Sequence, residues 1–160
     1  MWSYRQDQAD QVLLSGITAR TLVDFSSVAS SLVAIPGLSV PLEANKTYEI
    51  DALLKCVINN TTNDLRIGFD FSAAGAAVGW VGIGSLGSSL NLIGANSLNN
   101  SGGIGIPAAT TVKGIIRVTG TVTTGVNPGN FFMLGHSSLG GTWIIFTNSR
   151  LSVNEFRSLS

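Results

Sequence analysis

Apolar residues fall at every second position through Thr47–Asn59 (TYEIDALLKCVIN): Tyr48, Ile50, Ala52, Leu54, Cys56 and Ile58 share one face. Glu49, Asp51, Leu53, Lys55 and Val57 take the other. A period of two sustained over this length predicts a β-strand with one side against a core. Leu53 and Val57 make the second face partly apolar. That places the strand in the middle of a sheet whose back meets something else, such as another subunit.

The same alternation predicts the neighbouring elements. Leu65, Ile67, Phe69 and Phe71 point inward from Leu65–Ser72, with Arg66, Asp70, Ser72 and a possible bulge at Gly68 outward. Val78–Ser85 sets Val78, Trp80, Gly82 and Gly84 against Val81 and Ile83. Thr110–Thr123 is the second long strand, with Val112, Ile116, Val118 and Val122 on one face. Its other face carries Lys113, Ile115, Arg117, Thr119 and Thr121. Shorter strands are predicted at Val12–Ala19, Thr21–Val28 (Leu22 or Val23 and Phe25 inward), Phe131–His136, Thr142–Thr147 and Ser149–Phe156. Ile35-Pro36-Gly37 reads as a break in any regular element within Ser30–Val40. Turns fall at Glu43–Lys46, Asn59–Asp64, Ala73–Ala77, Gly125–Asn130 and Ser137–Gly141. Leu86–Ala109 is the loosest stretch, long for a plain loop; a short strand is expected near Leu90–Ile93 and a loop across Asn96–Gly105.

No stretch carries a 3.6-residue period, so the fold class is all-β. About eight to ten antiparallel strands between Gly/Asn/Pro loops predict a β-sandwich of jelly-roll type. The domain is expected over 12–160, preceded by an arm over 1–11. In that arm Trp2 and Tyr4 are the only large apolar side chains besides Met1, and Trp and Tyr concentrate at binding hot spots.

Composition narrows the function. Charged residues are 11% of the chain, and nine basic residues balance nine acidic ones, against roughly 25% charged in an ordinary soluble domain. Without a basic cluster there is no electrostatic grip on phosphates, which excludes nucleic acid as the expected partner. The polar start MWSYRQDQADQ lacks the basic and apolar segments of a signal peptide. No apolar run approaches the ~20 residues of a membrane helix. Synthesis in a cytoplasm without membrane insertion is expected, with no shaft segment before the domain.

Catalytic chemistry needs converging titratable groups, and these are sparse. His136, the only histidine, reads as a solvated residue at a hairpin turn rather than a triad member. Cys56, the only cysteine, reads as a buried small hydrophobe. One of each, far apart in sequence, makes no ordinary zinc site. Glu49, Asp51 and Asp70 read as solubilising charges on sheet faces, not a glycosidase pair. The glycines of Val78–Gly87 are followed by no helix and no Gly-Lys-Ser/Thr, so they form no phosphate loop. No enzyme activity, cofactor or metal is expected.

Over Leu42–Phe156 the order of pieces resembles small tailed-phage structural proteins. It runs TYEIDALLKCVINNTTNDLRIGFDFS, a VGW strand, a Gly/Asn-rich middle, TTVKGIIRVTGTV and TWIIFTNSRLSVNEF. The resemblance implies a homotrimeric jelly roll of the tumour-necrosis-factor/C1q type, used as a capsid decoration protein, head fibre or fibre tip. It carries over no site residue. It implies a virion location, the major capsid protein as partner and a three-fold axis, which would account for the apolar outward residues Leu53, Val57 and Ile115; the competing reading is that the long middle loop of the same chain covers them. On the decoration reading, the arm with Trp2 and Tyr4 is the expected capsid anchor. The competing expectation is a fibre tip holding a host glycan in loops such as Asn96–Gly105 or Ser137–Gly141.

Overall fold

The computed structural model describes residues 16–58, 65–86, 89–95, 98, 100–103, 113–137 and 140–156. Twelve strands lie among them: β1 (Gly16–Arg20), β2 (Phe25–Ser27), β3 (Val33–Leu42), β4 (Thr47–Ile58), β5 (Leu65–Phe71) and β6 (Ala77–Leu86). Then come β7 (Ser89–Ala95), β8 (Asn100–Gly103), β9 (Gly114–Thr123), β10 (Gly129–Ser137), β11 (Trp143–Ile145) and β12 (Arg150–Glu155). The count exceeds the expected eight to ten. β8 falls inside the expected Asn96–Gly105 loop, and the chain after Leu86 yields β7 where a short strand is predicted. Trp2, Tyr4, the Asn59–Asp64 turn and Val112 lie outside the described residues.

Two antiparallel sheets form the sandwich. The larger, eight-stranded sheet runs β1-β12-β4-β9-β6-β7, with β11 joined to β4 and β2 to β11. The smaller runs β3-β10-β5-β8. β4 is central, as its two-faced pattern predicts: β9 flanks one side from Thr47 to Cys56, and the other side is shared end to end by β12 and β11. The inward row Tyr48, Ile50, Ala52, Leu54, Cys56 and Ile58 is buried, as is the row Leu65, Ile67, Phe69 and Phe71 of β5. Between the sheets the Phe69 ring meets Trp80 edge-on at 5.5 Å and stacks on Phe131 at 5.0 Å. Such offset and edge-on pairs add to the burial of area alone.

Glycines allow close approach at two tryptophans. Trp80 of β6 sits opposite Gly120 of β9, where an added Cβ would come within 2.7 Å of the Trp80 Cα and Cβ. Trp143 of β11 packs on Gly135 of β10, joining the two sheets; a Cβ there would lie 2.9 Å from its ring.

Three expectations are corrected. Pro36 and Gly37 do not break the chain, because β3 continues through them as a bulge. Phe132 pairs with Ser39 and Leu134 with Ala34, so Ile35–Leu38 bow out opposite Met133 alone. β3 is an edge strand, where a proline's missing N–H costs no ladder bond, and Gly37 takes the left-handed conformation (φ 80°) the bow needs. The bulge returns both Ile35 and Leu38 to the core. Leu22 and Val23 are not inward: they are 87% and 74% exposed in the loop between β1 and β2, and only Phe25 turns in, edge-on to Trp143 at 5.4 Å. His136 is not at a turn; it is half-buried within β10, in register with Arg66.

Candidate interaction surface

The outer face of the eight-stranded sheet carries the features least explained by folding alone. Strand pairing sets them in rows. Across one row stand Leu92, Ile83, Arg117, Leu53 and Arg150; across the next on the same face stand Gly94, Val81, Thr119, Asp51 and Ser152. Ile115 pairs with Lys55, which makes it the diagonal neighbour of both Leu53 and Val57, at the ~7–8 Å reach typical of such pairs. The sheet thus brings together the three residues that sequence patterning singles out.

Their surroundings differ. Leu53 is half-buried between Arg117 and Arg150, whose guanidinium groups both reach Asp51, at 3.7 and 3.3 Å. Long charged side chains cover apolar area with their stems, so Leu53 is partly sheltered within its own chain. Val57 is half-buried opposite Ile144 of β11. Ile115 is 53% exposed and belongs to an open apolar patch with Val81, Ile83 and Leu92, at 56%, 54% and 78%. These four line a depression of about 400 Å³ floored by Gly82 and edged by Arg117 and Thr119.

Across Ile115 the depression adjoins a cleft of about 470 Å³ lined by Asp24, Lys55, Lys113, Phe146 and Thr147. The Lys113 Nζ stands 5.0 Å over the Phe146 ring centroid, a cation–π contact. Toward the other end of the sheet the same face is covered by hydroxyls. Thr18 and Ser152 are hydrogen-bonded at 2.9 Å, Thr47 and Thr123 at 3.0 Å. The outer face is therefore divided, apolar toward Leu53–Ile58 and hydroxyl-covered toward Thr47–Asp51, with the Asp51–arginine cluster between.

Sequence reading did not single out Val81, Ile83 and Leu92. The signal for the first two was present: they alternate with Trp80, Gly82 and Gly84, the residues that face the core. Leu92 lies in the Gly/Ser/Asn-rich stretch, where no clear period marks its face.

Among the described residues the charged groups that meet do so as ion pairs, Asp51 with Arg117 and Arg150 and Lys46 with Glu43 and Glu155. Cys56 is buried on the inner face, and burial pushes its thiol up to about 12. Asp51 is held by two arginines. Among the described residues no three His, Cys, Asp or Glu side chains group as metal ligands, and no helix is long and apolar enough to cross a membrane.

Among solved structures, the chain is similar to a structure of infectious bursal disease virus, Gx strain. It is 14% identical over 87% of this chain and 38% of that one, with a TM-score of 0.28. It is also similar to the VP2 subviral particle of infectious bursal disease virus, 13% identical over 89% of this chain and 42% of that one, with a TM-score of 0.30. The chain spans about two fifths of the length of either. TM-scores of that size decide nothing about this protein, whose sandwich stands on its own strand pairing. No family model matches the chain, and no curated protein does.

Proposed function

We propose that this protein is a non-enzymatic structural subunit of a virion: a homotrimeric decoration (cement) protein that binds the major capsid protein of a tailed phage and stabilises the shell. The observation that carries the reading is the outer face of the eight-stranded sheet, where Val81, Ile83, Leu92 and Ile115 stay in water beside the half-buried Leu53 and Val57. A contiguous apolar patch with a polar rim marks a surface made to be covered by protein. The low charge of the chain and its resemblance in strand order to tailed-phage structural proteins support the virion setting. The arm bearing Trp2 and Tyr4 supplies the capsid anchor. Stabilisation would follow from mass action, since a subunit that binds only the assembled shell shifts the equilibrium toward it.

The test is cosedimentation of the purified chain with phage capsids stripped of their decoration protein. Saturable binding that raises the heat resistance of the shells is expected, lost in the Ile83→Asp/Ile115→Asp variant. Failure to bind any such capsid, together with binding to host glycans on an array, would overturn decoration in favour of a fibre tip.

A further inference from the structure

Strand pairing gathers cations that lie scattered along the sequence. Across the outer face Arg20 stands opposite Arg150, Arg150 opposite Leu53, and Leu53 opposite Arg117. Lys55 is two positions further along β4 on the same face, and Lys113 shares its cleft beside Ile115. Five of the chain's nine basic residues therefore meet on the apolar half of this face. The carboxylates there are Asp24 and Asp51, and both are engaged. Asp24 accepts the Thr147 N–H at 2.7 Å, and Asp51 faces Arg117 and Arg150 at 3.7 and 3.3 Å. Glu49, the next acid on this face, lies toward the hydroxyl-covered end. Among the described residues Arg20, Lys55 and Lys113 have no carboxylate partner. Like charges directly opposite one another weaken a sheet, so folding gives no reason for setting Arg20 against Arg150.

The cations border recesses that follow one another in a line. The depression at Ile83 and Leu92 has Arg117 at its edge, and it meets the cleft of Lys55 and Lys113 at Ile115. That cleft meets, at Asp24, a third hollow of about 280 Å³ lined by Arg20, Leu22, Val23, Phe25, Pro36 and Gly37. The line runs from β7 to β2 by way of β6, β9, β4 and β11, five strand spacings. These come to roughly 24 Å, which about seven residues of extended chain cover. Each recess offers apolar lining together with at least one cation.

We infer that this line of recesses seats an extended polypeptide segment in which carboxylates alternate with aliphatic or aromatic side chains. The inference rests on the reading above, that the outer face docks protein, and adds the chemistry of the segment it meets. Apolar side chains of the segment fill the hollows, and its carboxylates meet Arg20, Lys55, Lys113 and Arg117. Complementary charge of this kind speeds encounter and turns away basic partners. A polyphosphate would satisfy the cations and leave Val81, Ile83 and Leu92 in water. Bases of a single-stranded nucleic acid stack on aromatic faces, and the ring in the middle cleft, Phe146, already lies under Lys113.

The probe is a fluorescent random copolymer of glutamate and tyrosine. Polyglutamate of the same length, an oligothymidylate and phosphatidylglycerol vesicles serve as comparisons, each titrated with the purified chain at low and high salt. The copolymer should bind about tenfold more tightly than polyglutamate, since burying one apolar side chain is worth at least that, and salt should weaken it. Lys55→Glu/Lys113→Glu reverses two exposed charges that hold no ion pair, and Ile83→Ser/Leu92→Ser removes apolar lining without adding charge. A thermal melt of each variant verifies the fold, and each should lose about tenfold in copolymer affinity. The inference is overturned if the unmodified chain does not bind the copolymer, if polyglutamate binds as tightly, or if either folded variant binds unchanged. Equal affinity for oligothymidylate or for the vesicles would also sink it, by marking a surface for polyanions or lipid. Cosedimentation with capsids separates the two readings. Copolymer binding without capsid binding counts against decoration alone, whereas capsid binding that survives Lys55→Glu/Lys113→Glu counts against the acidic segment alone.

Discussion

Single residues show how closely this sandwich is packed. A Cβ at Gly120 would meet the Gly79 carbonyl oxygen and the Trp80 Cα and Cβ, so Gly120→Ala forces the paired strands to move. The variant should lose about 1–3 kcal/mol, as overpacked sites do, read as a lower urea midpoint with unchanged slope. An unaltered midpoint would show that the backbone around Trp80 yields freely. Cys56 gives a pH prediction. Burial holds its thiol proton up to about 12, whereas an unfolded cysteine releases it near ~8.5. Below the unfolded value both states are protonated; above it only the unfolded chain ionises, so stability falls as pH rises from there through the folded value. Lys46, held protonated above its usual range by Glu43 and then Glu155, acts in the same direction at higher pH. Cys56→Ala should flatten the first part of that decline in denaturation curves taken between pH 8 and 10. An equal slope in both proteins would place the cause elsewhere. The burial of Cys56 was legible from alternation alone. The contact of Gly120 was not, since it depends on which strand lies beside β9.

At the scale of elements, the junction between β11 and β12 decides how β4 is covered. Both strands pair with the same side of β4, and the turn between them leaves Leu54 and Lys55 without a strand partner on that side. Two contacts fill the gap: the Lys55 N–H donates to the Ser149 hydroxyl at 3.0 Å, and the Lys55 carbonyl accepts the Phe146 N–H at 2.8 Å. The Ser149 hydroxyl in turn donates to the Phe146 carbonyl at 2.8 Å. Ser149→Ala should leave a backbone donor of β4 unpaired and cost about 1–3 kcal/mol, whereas Ser149→Thr, which keeps the hydroxyl, should cost less if the extra methyl is accommodated. Thermal melts of the two variants check this, and equal losses would show that volume rather than the hydroxyl matters. The sequence predicts strands at both Thr142–Thr147 and Ser149–Phe156. That they lie in line along one neighbour is a long-range arrangement, without a local signal. The bulge in β3 is a similar case. Pro36-Gly37 reads as a break because propensity is local, yet an edge position with a left-handed glycine lets the strand continue.

At the scale of the whole molecule, the divided outer face is the feature that bears on function. Deleting Met1–Ala9 should leave the melting temperature within a few degrees of the full chain while abolishing attachment to capsids. A truncated chain that no longer folds would make the arm part of the sandwich, and one that still binds would put the anchor elsewhere. The trimer guess from sequence centred on Leu53, Val57 and Ile115. The sheet does bring these together, but Arg117 and Arg150 flank Leu53, and the larger exposed area lies toward β6 and β7. The centre of the candidate surface is thereby displaced from β4 toward Ile83 and Leu92.

Alternation along the chain was sufficient to determine the all-β class, the central place of β4 and the inward rows of β4, β5 and β9; for β6 it separated the two faces without saying which is inward. Side chains in a strand alternate between faces wherever the strand ends up, so this information is local. Tertiary structure alone decided which strands adjoin, and with that everything that depends on adjacency. The close approach of Gly120 to Trp80 and of Gly135 to Trp143, the arginines flanking Leu53 and the meeting of Val81, Ile83, Leu92 and Ile115 all join residues distant in sequence. The β1–β2 loop shows the same division. Leu22 and Val23 look like core residues by their chemistry, and only the bonds from Thr147 and Asn148 to that loop leave them facing water.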